Sequence, residues 1–226
     1  MTTPKSGELG VVFDLDGTLV DSRADIVHAA NVALERHGRP RRTPEEIALF
    51  VGDGAQALLA GAARLKRGDP EVAPLQATYV EYYTEHPADR TTLMPDVFDV
   101  LDALKPFSLA VCTNKPRIVA DRVLAELGLA RYFDVVVGGG DLPEHKPHPL
   151  PILHIAERVG LSPERLIMVG DGPQDMQAGR AARAVTAAVL GGFGSEEELR
   201  ACRPDVVLER LGRLLPFVSA RRALAL

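Results

Sequence analysis

Short apolar runs recur along the chain with the composition of buried parallel strands. Each run is continuously apolar or rich in β-branched residues, and each ends near Gly, Pro, Asp or Asn. Four runs meet these criteria and two more are candidates: residues 10–15, 109–113, 134–137, 166–170, 185–190 and 204–208. The pattern therefore predicts up to six parallel strands.

Helical spacing separates these runs. Apolar residues recur every three or four positions over residues 97–104, 116–127 and 151–159, and the last two segments stop at Gly128 and Gly160. Alternating strands and helices are typical of a doubly wound α/β fold with a mostly parallel, Rossmann-like sheet.

The stretch between the first two strands breaks this alternation. It contains helical patterns and no convincing strand, and Thr43-Pro44-Glu45-Glu46 combines a Thr N-cap, a first-turn Pro and a capping-box Glu. A crossover normally needs far fewer residues. We therefore predict a core made of residues 1–21 and 93–226, with residues 22–92 inserted as a helical cap domain.

Composition narrows the classes of function. The chain has 226 residues, of which 46% are hydrophobic and 25% charged, with a net charge of -5 and no long basic run. This balance argues against nucleic acid as a partner. The two cysteines form no disulfide framework, and neither a signal peptide nor a membrane span is evident. We expect a cytoplasmic monomer or homodimer without membrane contact.

The strongest candidate for chemistry follows the first predicted strand. Asp14 and Asp16 are two residues apart, so in an extended chain both carboxylates face the same way. A hard cation such as Mg²⁺ would relieve their repulsion. Gly17 permits a sharp exit, and Thr18 offers a hydroxyl to a phosphate oxygen. The alternative reading is an acidic turn at a strand end.

Three more polar clusters follow predicted strands or precede helices. Thr113 and Asn114 could bind an anion or cap a helix. Lys146, stiffened by Pro147, could neutralise a carboxylate and a phosphate, or could be a solvated loop lysine. Asp171 and Asp175 lie one helical turn apart, so both could face one point; otherwise Asp171 caps the helix and Asp175 is a surface residue.

These clusters converge on one place, the carboxyl edge of the predicted sheet, where open α/β sheets bind ligands. Random surface polarity would not select that edge each time. His145 and His148 resemble a metal pair only by their spacing, and no third nitrogen ligand is apparent, so we interpret them as loop residues.

The ordered set of motifs resembles the haloacid dehalogenase superfamily over essentially the whole chain. The set comprises Asp14-x-Asp16-Gly17-Thr18, Thr113-Asn114, Lys146-Pro147 and Gly170-Asp171 with Asp175. The helical insert resembles that superfamily's C1 cap. Bacterial phosphoglycolate phosphatases are more closely similar, through residues 51–54, 113–116, 132–142, 146–149 and 191–195. Gly172 stands where the family often has Ser, and Arg183 where it often has Gly.

The resemblance implies a Mg²⁺-dependent phosphatase with an aspartyl-phosphate intermediate. It makes Asp14 the nucleophile and Asp16 the general acid and base. It assigns the metal to Asp14, the backbone carbonyl of Asp16 and Asp171, with Asp175 in support. Thr113, Asn114 and Lys146 would hold the phosphoryl oxygens.

The resemblance also implies a small phosphorylated metabolite as substrate, with 2-phosphoglycolate first and other sugar phosphates such as N-acetylmuramic acid 6-phosphate next. An anionic substrate could meet the turn at Gly52 and Gly54, in which case Asp53 should point away. A phosphomutase would share every core motif. A dehalogenase would not need Asp16 or a metal, and a non-catalytic binding protein would be expected to lose some of these residues.

Overall fold

The computed structural model describes residues 9–224, and six parallel strands form its main sheet. The strands are Gly10–Phe13 (β1), Ser108–Pro116 (β4), Val135–Gly139 (β5), Leu166–Gly170 (β6), Val185–Val189 (β7) and Val206–Leu208 (β8). Their order across the sheet is β5-β4-β1-β6-β7-β8, and every adjacent pair is parallel. The predicted α/β fold class is therefore confirmed.

Two strand boundaries matter for the site. Strand β1 ends at Phe13, so Asp14 is the first residue beyond it. Strand β4 runs further than predicted, because it pairs with β5 again at Pro116 after a register irregularity that follows Cys112. Thr113 and Asn114 consequently lie within the last part of a strand, where the sequence pattern had placed the strand's end.

Helices cover both faces of this sheet. They are Val97–Ala103 (α5), Arg117–Glu126 (α6), Leu150–Val159 (α7), Pro173–Ala181 (α8), Glu196–Ala201 (α9) and Leu214–Leu224 (α10). Strands β1 and β6 are buried along their whole length, as expected for strands with helices on both sides. Helices α5, α6 and α7 agree with the predicted segments to within two residues.

Four helices lie between β1 and α5: Arg23–Arg36 (α1), Pro44–Ala48 (α2), Ala55–Ala63 (α3) and Val72–Glu85 (α4). The predicted capping box at α2 is present: the Glu46 amide donates to the Thr43 hydroxyl at 3.3 Å, and the Thr43 amide donates to the Glu46 carboxylate at 2.9 Å. All six strands of the main sheet lie outside residues 22–92. This agrees with the proposed core and cap, although the domain division itself stays a prediction.

The sequence pattern did not predict a short two-stranded ribbon, which pairs the segment before residues 22–92 with the segment after them. Val20–Asp21 (β2) and Thr92–Leu93 (β3) form an antiparallel pair where the chain leaves the sheet region and returns. Two-residue strands are too short to give a periodic signal. Nearby, the buried Asp25 of α1 accepts from the Arg90 amide at 3.0 Å and the Thr91 hydroxyl at 2.7 Å, which holds α1 against the segment that leads into β3.

Within residues 9–224, no helix is both long and apolar enough to cross a bilayer.

Candidate active site

Lys146 lies at the centre of the carboxyl edge of the sheet and joins two buried carboxylates. Its ammonium donates to Asp14 Oδ1 at 2.7 Å and to Asp175 Oδ1 at 2.5 Å, and the residue is 1% exposed. Asp175 also accepts from the Gly172 amide at 3.0 Å through its other oxygen. The alternative of a solvated loop lysine is therefore wrong, and so is that of a surface Asp175.

Asp171 completes a group of three buried carboxylates. Ligand atoms of Asp14, Asp171 and Asp175 all lie within 4.8 Å of one another. Asp171 accepts from the Thr18 hydroxyl at 2.7 Å and from the Phe193 amide at 2.7 Å. Burial raises the pKa of Asp14 to about 7 and that of Asp171 to about 6, and it also raises the pKa of Asp175.

This excess of buried negative charge fits a metal cation. Three acidic groups meet one lysine, and oxygen-rich sites of this kind suit hard divalent ions. Asp14, Asp171 and Asp175 of the predicted metal site are thus brought together, whereas Asp16 lines the same cavity and its carboxylate pairs with Lys115. Their roles as ligands stay a prediction.

Gly17 makes this approach possible. Its φ of +88° lies in the left-handed region, and a Cβ built on it would overlap the Asp171 carboxylate. The tight turn also directs the Thr18 hydroxyl to Asp171. The prediction that Thr18 donates to phosphate is therefore wrong for this structure, because the Thr18 hydroxyl hydrogen already serves a core carboxylate.

Asn114 links three segments of the site. Its side-chain amide donates at 2.8 Å to the backbone carbonyls of both Gly52 and Lys146, and its side-chain oxygen accepts from the Lys146 amide at 3.0 Å. Both amide hydrogens thus have backbone partners. Asn114 holds the lysine loop and the turn before α3 in place, an arrangement that the sequence did not reveal.

Lys115 is a residue of the site that sequence reasoning missed. Its ammonium donates to Asp16 Oδ1 at 2.9 Å and Oδ2 at 3.2 Å, and to the Tyr83 hydroxyl at 2.9 Å. Ser22 also donates to Asp16 Oδ1. The only sequence signal was a lysine immediately after Thr113-Asn114, which does not indicate a partner 99 residues away.

A cavity of about 420 Å³ opens above these residues. Its floor includes Asp14, Asp16 and Asp171, and its walls include the turn at Gly52 and Gly54. Asp53 pairs with Arg67 and does not line this cavity, which agrees with the expectation that it points away.

The interpretation of His145 and His148 as loop residues agrees with the structure. His145 and His148 are both exposed, and neither belongs to the group of carboxylates that could hold a metal. Arg183 has a φ of +64°, so the departure from the family's Gly lies in a left-handed turn. At Gly172 a Cβ would meet the flexible end of Gln174, a contact that the side chain can relieve by moving.

The buried carboxylates and the lysine lie under a cavity at the carboxyl edge of an open parallel sheet, which is where α/β enzymes of this architecture bind their ligands. The chain belongs to the haloacid dehalogenase-like hydrolase family, whose model matches residues 11–189. It is a phosphoric monoester hydrolase.

Known relatives agree with this assignment. The chain is 36% identical to the phosphoglycolate phosphatase of Escherichia coli (strain K12), over 93% of this chain and 92% of that protein. It is equally identical, with the same coverage, to the phosphoglycolate phosphatase of Salmonella typhimurium. A solved structure from Haemophilus somnus 129PT, described as a predicted phosphoglycolate phosphatase, superposes with a TM-score of 0.84 at 28% identity, covering 94% of this chain and 99% of that one.

Proposed function

We propose that this protein hydrolyses 2-phosphoglycolate to glycolate and phosphate through an aspartyl-phosphate on Asp14, with Mg²⁺ as cofactor. One observation carries the chemical part of the proposal. Lys146 holds Asp14 Oδ1, while Asp14 Oδ2 has no hydrogen-bond partner among residues 9–224, and Asp14 lines the cavity. A carboxylate held by one oxygen and free at the other is oriented for attack on phosphorus.

Mg²⁺ would be held by Asp14, the backbone carbonyl of Asp16 and Asp171, with Asp175 supporting them. Bound there, the cation would offset the negative charge of the carboxylates and of the phosphate. Asp171 is fixed for this role by Thr18 and by the Phe193 amide.

The phosphoryl oxygens would meet Thr113 and Lys146, with Asn114 acting from its place between Gly52 and Lys146. The Thr113 hydroxyl accepts from the Lys115 amide at 3.2 Å, so its own hydrogen can still be donated. Donors set in advance stabilise the charge that shifts as the phosphoryl group moves.

The helical segment of residues 22–92 would act as the cap, exclude bulk water and contact the organic part of the substrate. The turn at Gly52 and Gly54 precedes helix α3, and a Cβ at Gly54 would lie 3.3 Å from the Asn114 carbonyl. The proposed cap thus adjoins the phosphate-binding edge. The names of the relatives favour 2-phosphoglycolate as the substrate.

The substrate proposal is tested with a panel of esters assayed for free phosphate with Mg²⁺. The panel holds 2-phosphoglycolate, N-acetylmuramic acid 6-phosphate, other sugar phosphates, pyrophosphate and nucleoside monophosphates. We expect 2-phosphoglycolate to have the highest kcat/KM, EDTA to stop turnover and Mg²⁺ to restore it. If another ester has a kcat/KM higher by about tenfold, or roughly 1.4 kcal/mol of transition-state preference, 2-phosphoglycolate is not the preferred substrate.

Two other outcomes would change the proposed reaction. Phosphate transfer without release of free phosphate would indicate a mutase, and full turnover in EDTA would exclude the metal scheme.

Asp16 is proposed to protonate the leaving alkoxide and then to deprotonate the water that cleaves the aspartyl-phosphate. Its replacement in Asp16→Asn should slow turnover by roughly 10²–10⁴-fold, the usual contribution of general acid–base catalysis. We expect the phosphoryl group to remain on Asp14 after a reactive ester has been attacked, because the second step then lacks its base. Mass spectrometry of the acid-quenched variant would detect the added phosphoryl group. A loss below about fivefold would remove Asp16 from this role.

A further inference from the structure

The cavity offers few positive charges to a substrate. Among the described residues that line it, only Lys115 and Lys146 are cationic, whereas Asp14, Asp16, Asp171 and Glu198 are acidic. Lys146 already contacts two carboxylates and belongs to the phosphoryl end of the site. Lys115 is therefore the one lysine that can serve the other end of the substrate.

Apart from the turn at Gly52 and Gly54, the wall on the side of residues 22–92 is apolar or aromatic and includes Ile26, Leu49, Val51, Leu58 and Tyr79. An anionic group placed against such a wall without a counter-charge would lose its hydration and gain nothing in return. For an anion beyond the phosphate, Lys115 is the side-chain cation that the described lining offers.

Lys115 connects the main sheet with the helical segment of residues 22–92. It lies on β4 and its side chain is 2% exposed, while its ammonium reaches Tyr83 of helix α4. The ammonium is also 4.2 Å from the centre of the Tyr83 ring. Tyr83 is itself fully buried, so this contact fixes the position of the charge.

The present partner of Lys115 is the Asp16 carboxylate, at 2.9 Å and 3.2 Å. The Lys115 ammonium thus already binds one carboxylate, and a carboxylate of the substrate could bind at the same position. An ammonium has three hydrogens to donate, so an incoming anion can exchange with Asp16 while the Tyr83 contact stays. The exchange would free Asp16 from its ion pair when the right substrate arrives.

We propose that Lys115 selects substrates whose leaving group carries an anionic group such as a carboxylate, by exchanging its ion pair with Asp16 for one with the substrate. This inference rests on the proposed phosphatase activity and deepens it, since it names the residue that determines specificity. It applies to any carboxylated phosphate ester, whatever the remainder of the molecule.

A matched pair of substrates tests the proposal: 2-phosphoglycolate and its amide, which has nearly the same shape without the negative charge. We expect wild-type kcat/KM to favour the acid by about 30-fold or more, the low end for losing one partner of a buried charge pair. In Lys115→Met, activity falls on both esters but falls much further on the acid, so the ratio drops to within about threefold of one. Lys115→Arg, which keeps the charge, should retain a clear preference for the acid.

The controls separate specificity from structure. Lys66→Met, at an exposed position within the helical segment of residues 22–92, should keep the wild-type ratio. If Lys115 only holds the fold together, Lys115→Met lowers both kcat/KM values equally and leaves the ratio unchanged, which overturns the proposal. A wild-type enzyme that does not prefer the acid overturns it without any variant. If the wild type releases phosphate from no ester, the proposed function itself fails, and that outcome is distinct from an unchanged ratio.

Discussion

Replacing Asp14 with asparagine is expected to lower kcat by roughly 10⁴–10⁶-fold, the scale seen when a catalytic nucleophile is removed. The amide has nearly the same shape but cannot form an acyl phosphate with the substrate. The measurement is phosphate release from 2-phosphoglycolate, with mass spectrometry to exclude deamidation back to aspartate. Activity within tenfold of the wild type, without deamidation, would contradict Asp14 as nucleophile.

The fold of this variant should survive, and its stability gives a second readout. Burial raises the pKa of Asp14 from 3.8 to about 7, so without metal the folded state binds this proton more tightly than the unfolded state. The contribution of Asp14 to stability therefore falls as the pH rises from about 4 to about 7. The asparagine of Asp14→Asn mimics the neutral carboxyl and lacks this loss, so in EDTA at pH 8 the variant should be at least as stable as the wild type. Asp99→Asn, at an exposed position on α5, is the matched control and should change neither activity nor stability appreciably.

Replacing Lys146 with methionine is expected to damage both stability and activity. Methionine is similar in length but leaves the buried Asp14 and Asp175 without their shared cation. Removing one partner of a buried ion pair typically costs about 3–5 kcal/mol of unfolding free energy. Activity should fall by roughly 10³-fold or more, since the nucleophile loses its orientation and the phosphoryl group loses a donor.

The pH dependence identifies the cause of the instability. Without Lys146, burial of Asp14 and Asp175 has a low free-energy cost only when the two carboxyl groups are protonated. The loss of stability should therefore be larger at pH 8 than at pH 5. Denaturant unfolding in EDTA at both pH values measures it. Lys105→Met, at an exposed ion pair with Asp102 on α5, should change the stability little at either pH. A loss of that small size in Lys146→Met at pH 8 would show that the buried ion pair contributes little.

Much of the framework could be predicted because it depends on local pattern. The apolar runs gave the six strands, and the capping box at Thr43 was read from four adjacent residues. The sequence also predicted the edge of the sheet at which Asp14, Lys146 and Asp171 meet, because the carboxyl ends of parallel strands lie on one side of a sheet. Local sequence and one topological rule were sufficient for these predictions.

The sequence did not reveal contacts between residues that are distant along the chain. Thr18 was assigned to phosphate but donates to Asp171, which is 153 residues away. Asn114 joins Gly52 to Lys146, while its role at the phosphate stays a prediction. Both residue types can make either kind of bond. Which bond forms depends on the separation of two backbones, and no local pattern records it.

By itself, then, the sequence determined the α/β framework, the inserted helices and the side chains that reach the carboxyl edge of the sheet. Only the tertiary structure decided how those side chains are paired: Lys146 with Asp14 and Asp175, and Lys115 with Asp16 and Tyr83. The physical reason is that strand and helix patterns arise from neighbours along the chain. The partner of a buried charge is instead set by whichever opposite charge the completed fold brings within about 3 Å.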